Sequence, residues 1–302
     1  MGSTWRVTLE LDAASRAPEL AEKIQHRLDQ LEQRFSTWRT DSELSKFNDA
    51  PAKSWQPVAP EILDLLVITL NLAQSSEGAY DPTIEPLVRL WGFGASGHRD
   101  NAPSAAEILK AQAQVGWQKL RIERSKNRLW QPGGLRLDFS SIVAGYATDQ
   151  VAEMLRAEQL DSYLIDITGE MRAHGKKPDG SDWRVGIERP DGDDRDMSVV
   201  DEVVLRDTAL VTSGNYRNRY QMGALSVSHL IDPRTARPVT HNLLSVSVRH
   251  VSGTYSDALA SLIMVLGPRA GLAYAKRHNI SVLLLIQGKR GLITRRHAWA
   301  AN

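Results

Sequence analysis

Asp138-Phe139-Ser140-Ser141-Ile142-Val143-Ala144-Gly145-Tyr146-Ala147-Thr148-Asp149 is the place where the chain changes from a strand-like to a helical pattern. Just upstream, Leu135-Arg136-Leu137 alternates apolar and polar residues, so a strand is predicted over Leu135 to Phe139. A helix is predicted from about Ala144 to Gln159. The amides at such a helix start, together with the positive end of its dipole, suit a pyrophosphate. A plainer reading is that Ser140 caps the helix and Gly145 lets it pack closely. Both readings stand on this stretch alone.

Working outward, residues 5 to 11 read as a strand, and Leu20, Ile24, Leu28 and Leu31 put an apolar stripe on a helix from Ala17 to Phe35. Phe35 to Asn48 is polar and turn-like, with capping potential at Thr40-Asp41-Ser42-Glu43. A second helix is predicted over Glu61 to Gln74 and a short one over Ile84 to Leu90. After it, Trp91 and Phe93 stand in a glycine-rich loop. Residues 98 to 104 look like a connection within a domain rather than a boundary between two. Leu120 to Glu123 and Arg128 to Gln131 predict a hairpin. Further strands are predicted at Tyr163 to Ile167, Trp183 to Glu188, Val203 to Arg206, Leu210 to Thr212 and Leu243 to Arg249. The acidic segment from Asp191-Gly192-Asp193 reads as a solvated loop. Helices at about Asp257 to Leu266 and Ala270 to His278, and a strand pair around Gly288, complete the chain. Helices and strands mix without strict alternation, so the fold class is α+β, with mixed sheets and packed helices.

Composition narrows the function. Lysine plus arginine total 37 against 36 acidic residues, so no global field draws the chain to nucleic acid or an anionic membrane. There is no cysteine, which rules out disulfides, thiolate metal sites and cysteine nucleophiles, and leaves oxygen and nitrogen ligands. Apolar runs such as Ser281 to Ile286 are strand-sized, so no transmembrane segment is expected.

Three more constellations could carry chemistry. In Thr254-Tyr255-Ser256-Asp257-Ala258-Leu259-Ala260-Ser261, Asp257 and Ser261 are four apart and share a helix face. A carboxylate and a hydroxyl so placed match Mg²⁺, although capping by Ser256 or Asp257 explains the same residues. In Ser228-His229-Leu230-Ile231-Asp232-Pro233-Arg234-Thr235, the histidine ends a strand-like run before a proline turn, a place for a general base or merely for a turn. Trp38, Tyr80, Trp91 and Phe93 offer aromatic faces in loops, for a planar ring or for the core.

Taken together, Met1-Gly2-Ser3-Thr4-Trp5, Ser36-Thr37-Trp38-Arg39-Thr40-Asp41-Ser42-Glu43-Leu44-Ser45-Lys46-Phe47-Asn48, Gly78-Ala79-Tyr80-Asp81-Pro82-Thr83, the Asp138 to Asp149 run, Ser228 to Thr235 and Asp257 to Ser261 stand in the order seen in the flavin transferase (ApbE) family. The chain resembles that family over nearly its whole length. The resemblance implies an α+β, tandem T-fold-like architecture, residues 1–302 forming a single domain with room for two closely packed lobes. It implies Mg²⁺ bound by the carbonyl of Ser141, the carboxylate of Asp257 and the hydroxyl of Ser261, with Thr254 as a further candidate. For FAD it implies Met1, Trp38 as the ring-stacking residue, Ala79, Tyr80, Asp81, Asp138, Ala144, Ser228 and His229.

The implied activity moves FMN from FAD to a threonine or serine of an acceptor protein, releasing AMP, with His229 or Asp257 taking the hydroxyl proton. Acceptors among the flavin-bearing subunits of membrane redox complexes, and a periplasmic or periplasm-facing location, follow from the same resemblance. Two other readings share these residues: an FAD pyrophosphatase yielding FMN and AMP, and a non-catalytic FAD-binding carrier. Three positions depart from the family pattern. Ala144 stands where a lysine is frequent, Ser261 where a threonine is usual, and Ala236 where a glycine is familiar.

Overall fold

The computed structural model describes residues 4–10, 16–95, 97–190, 198–215, 219–223 and 225–299. Met1 and the Asp191-Gly192-Asp193 segment lie outside these residues. In chain order the elements begin with β1 (Trp5–Leu9), α1 (Ala17–Phe35), α2 (Glu43–Asn48), β2 (Ser54–Pro57), α3 (Pro60–Ser75), α4 (Glu85–Leu90) and α5 (Ala105–Gln112). Next come β3 (Ile122–Glu123), β4 (Arg128–Gln131) and α6 (Val143–Ala157). Strands β5 (Tyr163–Ile167), β6 (Glu170–His174), β7 (Trp183–Glu188), β8 (Val199–Leu205) and β9 (Ala209–Gly214) follow. Two small pairs, β10 (Arg219–Met222) with β11 (Leu225–Ser228) and β12 (Ile231–Asp232) with β13 (Arg237–Pro238), come before β14 (Leu243–His250). The chain closes with α7 (Gly253–Arg277), β15 (Ser281–Gly288) and β16 (Gly291–His297). The fold is α+β, as the sequence predicts.

Contacts divide the chain into two compact units, one of residues 1–29, 141–216 and 241–302 and the other of residues 30–140 and 217–240. The first unit holds a sheet of order β1-β5-β6-β9-β14-β15-β16, antiparallel at every pairing among the described residues. Helices α6 and α7 pack on each other and on this sheet. Leu283 and Leu285 of β15 join a cluster with Trp183, Val185 and Ile187 of β7 and Val203 and Leu205 of β8. The alternate residues Val282 and Leu284 are equally buried, so β15 is covered on both faces. That is why Ser281 to Ile286 reads as an unbroken apolar run.

Helix α7 is long and apolar enough to cross a membrane by length and composition. Its apolar residues Ala258, Ala260, Leu262, Ile263 and Met264 are buried in the protein, and Gly267, at φ 78, bends it ahead of Pro268. The break explains why the sequence reads as two helices. A core helix pressed against a sheet needs the same apolar content as a membrane span.

In the second unit, Leu87, Trp91, Ile108, Met222, Val227, Ile231 and Ala236 form a core cluster. The stretch Leu135 to Phe139 is not a strand. Its backbone is satisfied by other means: the Asn48 side chain donates to Leu137 O and accepts from Leu137 N, and Asp138 N donates to Pro82 O at 2.9 Å. Alternation predicts the burial of Leu135, Leu137 and Phe139, though Asp138 is buried as well, but a ladder needs a neighbouring strand, and here a single asparagine mimics one. The polar run before Asn48 contains α2, whose N-cap Ser42 accepts from Ser45 N.

Candidate functional site

The decisive helix starts lie in the first unit. Helix α7 is capped by Ser252, whose hydroxyl accepts from Tyr255 N. Asp257 therefore sits inside the helix and is not its cap. The N-cap of α6 is Ile142, with no side-chain cap. Ser140 instead donates its amide to Asp138 Oδ1 at 2.7 Å, so the plain capping readings of both motifs fall away.

The two helices meet through a backbone amide. Gly145 N, in the first turn of α6, donates to Asp257 Oδ2 at 2.9 Å. A side chain at Gly145 has no room, because a Cβ there would collide with the Gly253 carbonyl and lie 2.7 Å from Asp257 Cβ. Glycine is needed here for close approach, since α6 and α7 touch backbone to backbone.

Asp257 is 5% exposed, and among the described residues no arginine or lysine pairs with it. Burial pushes its carboxyl up to about 7, with the Gly145 amide pulling the other way. Glu170, at the start of β6, is pushed up to about 8 by burial and then by the charge of Asp257. Ser261 follows one turn after Asp257, its hydroxyl 3.3 Å from that of Ser213 on β9. The Thr254 hydroxyl donates to Asp149 Oδ2 at 2.7 Å, which commits it to holding the helix start. Ser141, in the turn before α6, and Ala144, in the first turn of α6, are half-buried.

Among the described residues Asp257 pairs with no cation, and its carboxylate shares a helix with the Ser261 hydroxyl one turn on, so both offer oxygen donors. Hard donors of this kind fit Mg²⁺. The carboxylates also set a pH dependence. Their folded pKa values lie above the ordinary carboxylate range, so the folded protein binds more protons than the unfolded chain between about pH 4 and pH 8. Stability of EDTA-treated protein is therefore expected to fall as pH rises through that window. Asp257→Asn is expected to flatten the fall in a series of melting curves. An equal slope in both proteins would remove the pair as its cause.

In the second unit the resemblance's FAD residues have differing surroundings. Trp38 is 68% exposed, with its ring available for stacking, whereas Tyr80 and Trp91 are buried and Phe93 is packed against the core cluster. Core anchoring therefore accounts for Trp91 and Phe93. Trp91 Nε1 donates to Ala236 O at 2.9 Å. Asp81 accepts from Thr83 N and Oγ1 and from Trp117 N, so its buried carboxylate ties two loops together, and burial raises its pKa. Ala79 is buried beside it in sequence, and Asp138 makes the turn bond to Ser140 described above. Ser228, buried at the end of β11, accepts from Leu230 N, while the His229 ring lies edge-on to Phe93 at 6.3 Å. Ala236 adopts φ 56, so the turn keeps the left-handed conformation that glycine takes more easily.

Sequence reasoning missed Asp149, Arg172, Glu170 and Ser213. Asp149 closes the motif quoted at the outset, four residues after Gly145, and that helical spacing was its one visible signal. The other three reach the site from strands β6 and β9, and no local pattern marks them.

Comparison with known proteins gives one answer. The chain matches the ApbE family over residues 1–284. It is 35% identical over 288 residues to the FAD:protein FMN transferase of Escherichia coli (strain K12), covering 94% of this chain and 82% of that protein. The apo flavinyl transferase ApbE of Pseudomonas stutzeri superposes with TM-score 0.86 at 38% identity, covering 98% of this chain and 92% of that one. The flavin transferase ApbE of Vibrio cholerae superposes with TM-score 0.87 at 32% identity, over 99% and 94% of the two chains.

Proposed function

Because this chain belongs to the ApbE family, we propose that it carries out its transfer with a Mg²⁺ ion held by its first compact unit. The chain is an FAD:protein FMN transferase, moving flavin from FAD to a target protein. The observation that carries the metal reading is Asp257: a buried carboxylate inside a helix, aimed by one backbone amide and, among the described residues, without a cationic partner. Asp257, the Ser261 hydroxyl and the Ser141 carbonyl are the ligands, and Ser261 keeps the oxygen that a threonine would give. When bound, the ion supplies positive charge against the pyrophosphate oxygens of FAD.

The rest is done by the chain's own residues. The Gly145 amide fixes the carboxylate of Asp257, so the donor set is arranged before substrate arrives. The exposed ring of Trp38 stacks on the flavin, with Ala79, Tyr80, Asp81, Asp138, Ser228 and His229 of the same unit shaping the FAD site. A threonine or serine hydroxyl of the acceptor attacks the FMN phosphorus. A phosphoester forms, the bond to the AMP phosphate breaks, and AMP leaves. His229 takes the hydroxyl proton, since Asp257 is already occupied as a ligand. Ala144 contributes no charge, so the phosphates are neutralised without a side chain at that position.

The acceptors in this reading are flavoprotein subunits of membrane redox complexes, met at the periplasmic side of the inner membrane.

Incubation of the protein with FAD, Mg²⁺ and an acceptor peptide, followed by mass spectrometry, tests the reaction. The expected product is peptide carrying FMN on its hydroxyl residue, with an equal amount of AMP, and none of either after EDTA. Free FMN with AMP and an unmodified peptide would mark water as the acceptor instead. Full transfer in EDTA would remove the metal from the mechanism.

A further inference from the structure

Asp149, on α6, gathers an unusual number of donors from the start of α7. Its Oδ2 accepts from Ser252 Oγ at 2.7 Å, Thr254 N at 3.0 Å and Thr254 Oγ1 at 2.7 Å. Its Oδ1 accepts from Gly253 N at 2.8 Å and pairs with Arg172 Nη1 at 2.6 Å. Arg172, from β6, also donates to Val251 O at 2.7 Å. Ser252, the α7 cap, receives further support because His250 Nδ1 accepts its amide at 3.0 Å, and burial lowers the pKa of His250.

Spacing gives this arrangement its meaning. Gly145 and Asp149 lie one turn apart on α6, and their partners on α7, Asp257 and Gly253, also lie one turn apart. The helices are thus joined at two points in a fixed register. The glycine contact between Gly145 and Gly253 sets how near they come, but a bare backbone contact does not set how far one slides along the other. Asp149 does that. An ordinary N-cap needs a single acceptor oxygen, which serine or asparagine supplies. Here both oxygens of a mostly buried carboxylate are filled, and its charge is answered by Arg172.

Resting on the reading of Asp257 as a metal ligand, we infer that Asp149 is the positioning residue of the cation site: by locking the first turn of α7 to α6, it holds the Asp257 carboxylate in register with the turn at Ser141. It acts through α7 and touches neither ion nor substrate. Arg172 serves the same purpose by neutralising Asp149, so the charge that fixes the helix register is answered within the protein.

The test uses the full chain with FAD bound and Mn²⁺ as a spectroscopic probe. Free Mn²⁺ is measured by electron paramagnetic resonance, and kcat is followed as Mg²⁺ is raised. Asp149→Asn is expected to weaken Mn²⁺ binding by about 10- to 100-fold, the usual consequence of disturbing a group that orients a ligand. Its kcat is expected to recover most of the wild-type value at high Mg²⁺, while the KM for FAD stays unchanged. Asp257→Asn is expected to lose both Mn²⁺ binding and activity at every Mg²⁺ concentration. Should Asp149→Asn fold poorly, Arg172→Met keeps the four hydrogen bonds to Asp149 and is expected to weaken Mn²⁺ binding in the same direction. A folded Asp149→Asn or Arg172→Met variant with wild-type Mn²⁺ affinity would overturn the inference and leave the metal reading standing. Wild-type affinity in Asp257→Asn would overturn the metal reading, and the inference with it.

Discussion

Asp257→Ala is expected to abolish FMN transfer, lowering the rate by about 10³-fold or more, because it removes the carboxylate proposed as a ligand of the cation. The fold is expected to survive. Two opposing effects meet at this position. The Gly145 amide loses its acceptor, which costs about 1–3 kcal/mol for an unsatisfied buried group. Against that, the metal-free protein is relieved of a buried carboxylate whose pKa is raised by burial. Asp257→Asn separates the two effects, since its amide oxygen still accepts from Gly145. It is expected to be more stable than the wild type in EDTA near pH 8, where the buried carboxylate is ionised, yet inactive with saturating Mg²⁺. Thermal melting and peptide flavinylation check both halves. Transfer at the wild-type rate by either variant, without added metal, would show that Asp257 is not a ligand.

The second large effect is structural in origin. Gly145→Ala is expected to destabilise the protein by on the order of 3 kcal/mol or more, because the new methyl group meets backbone on the facing helix rather than a movable side chain. The melting temperature is expected to fall by roughly 10 °C, given about 2–4 °C per kcal/mol for chains approaching this size. Activity is expected to fall further than stability requires. To admit the methyl group the helices must separate, and separation stretches the 2.9 Å bond that aims Asp257. Urea unfolding measures the first effect, and transfer assayed well below the melting temperature measures the second. A Gly145→Ala variant that melts with the wild type would mean that the helices part easily, and that their contact does not hold the site.

The recognisable parts of this protein are those whose pattern is local. The amphipathic stripe of Leu20, Ile24, Leu28 and Leu31 marks α1 because burial of one helix face leaves a period in the sequence. The strand at Tyr163–Ile167 and that at Trp183–Glu188 show the two-residue alternation that a half-buried strand requires. The segment Leu135 to Phe139 shows alternation too, and misleads, because its partner is the Asn48 side chain rather than a strand. Short pairs such as β12 with β13 are two residues each, too brief to leave a period at all.

The candidate site divides along the same line. Asp257 and Ser261 were legible because both lie on one helix, four residues apart. The sequence by itself determined the α+β class, the order of the motifs and the oxygen-rich chemistry of the helix starts, since these depend on residues near one another in the chain. Only the tertiary structure decided that Gly145, 112 positions away, aims Asp257, and that Asp149 fixes the register between the two helices. A hydrogen bond acts over about 3 Å, so which distant groups share one is settled only when packing has brought their helices together.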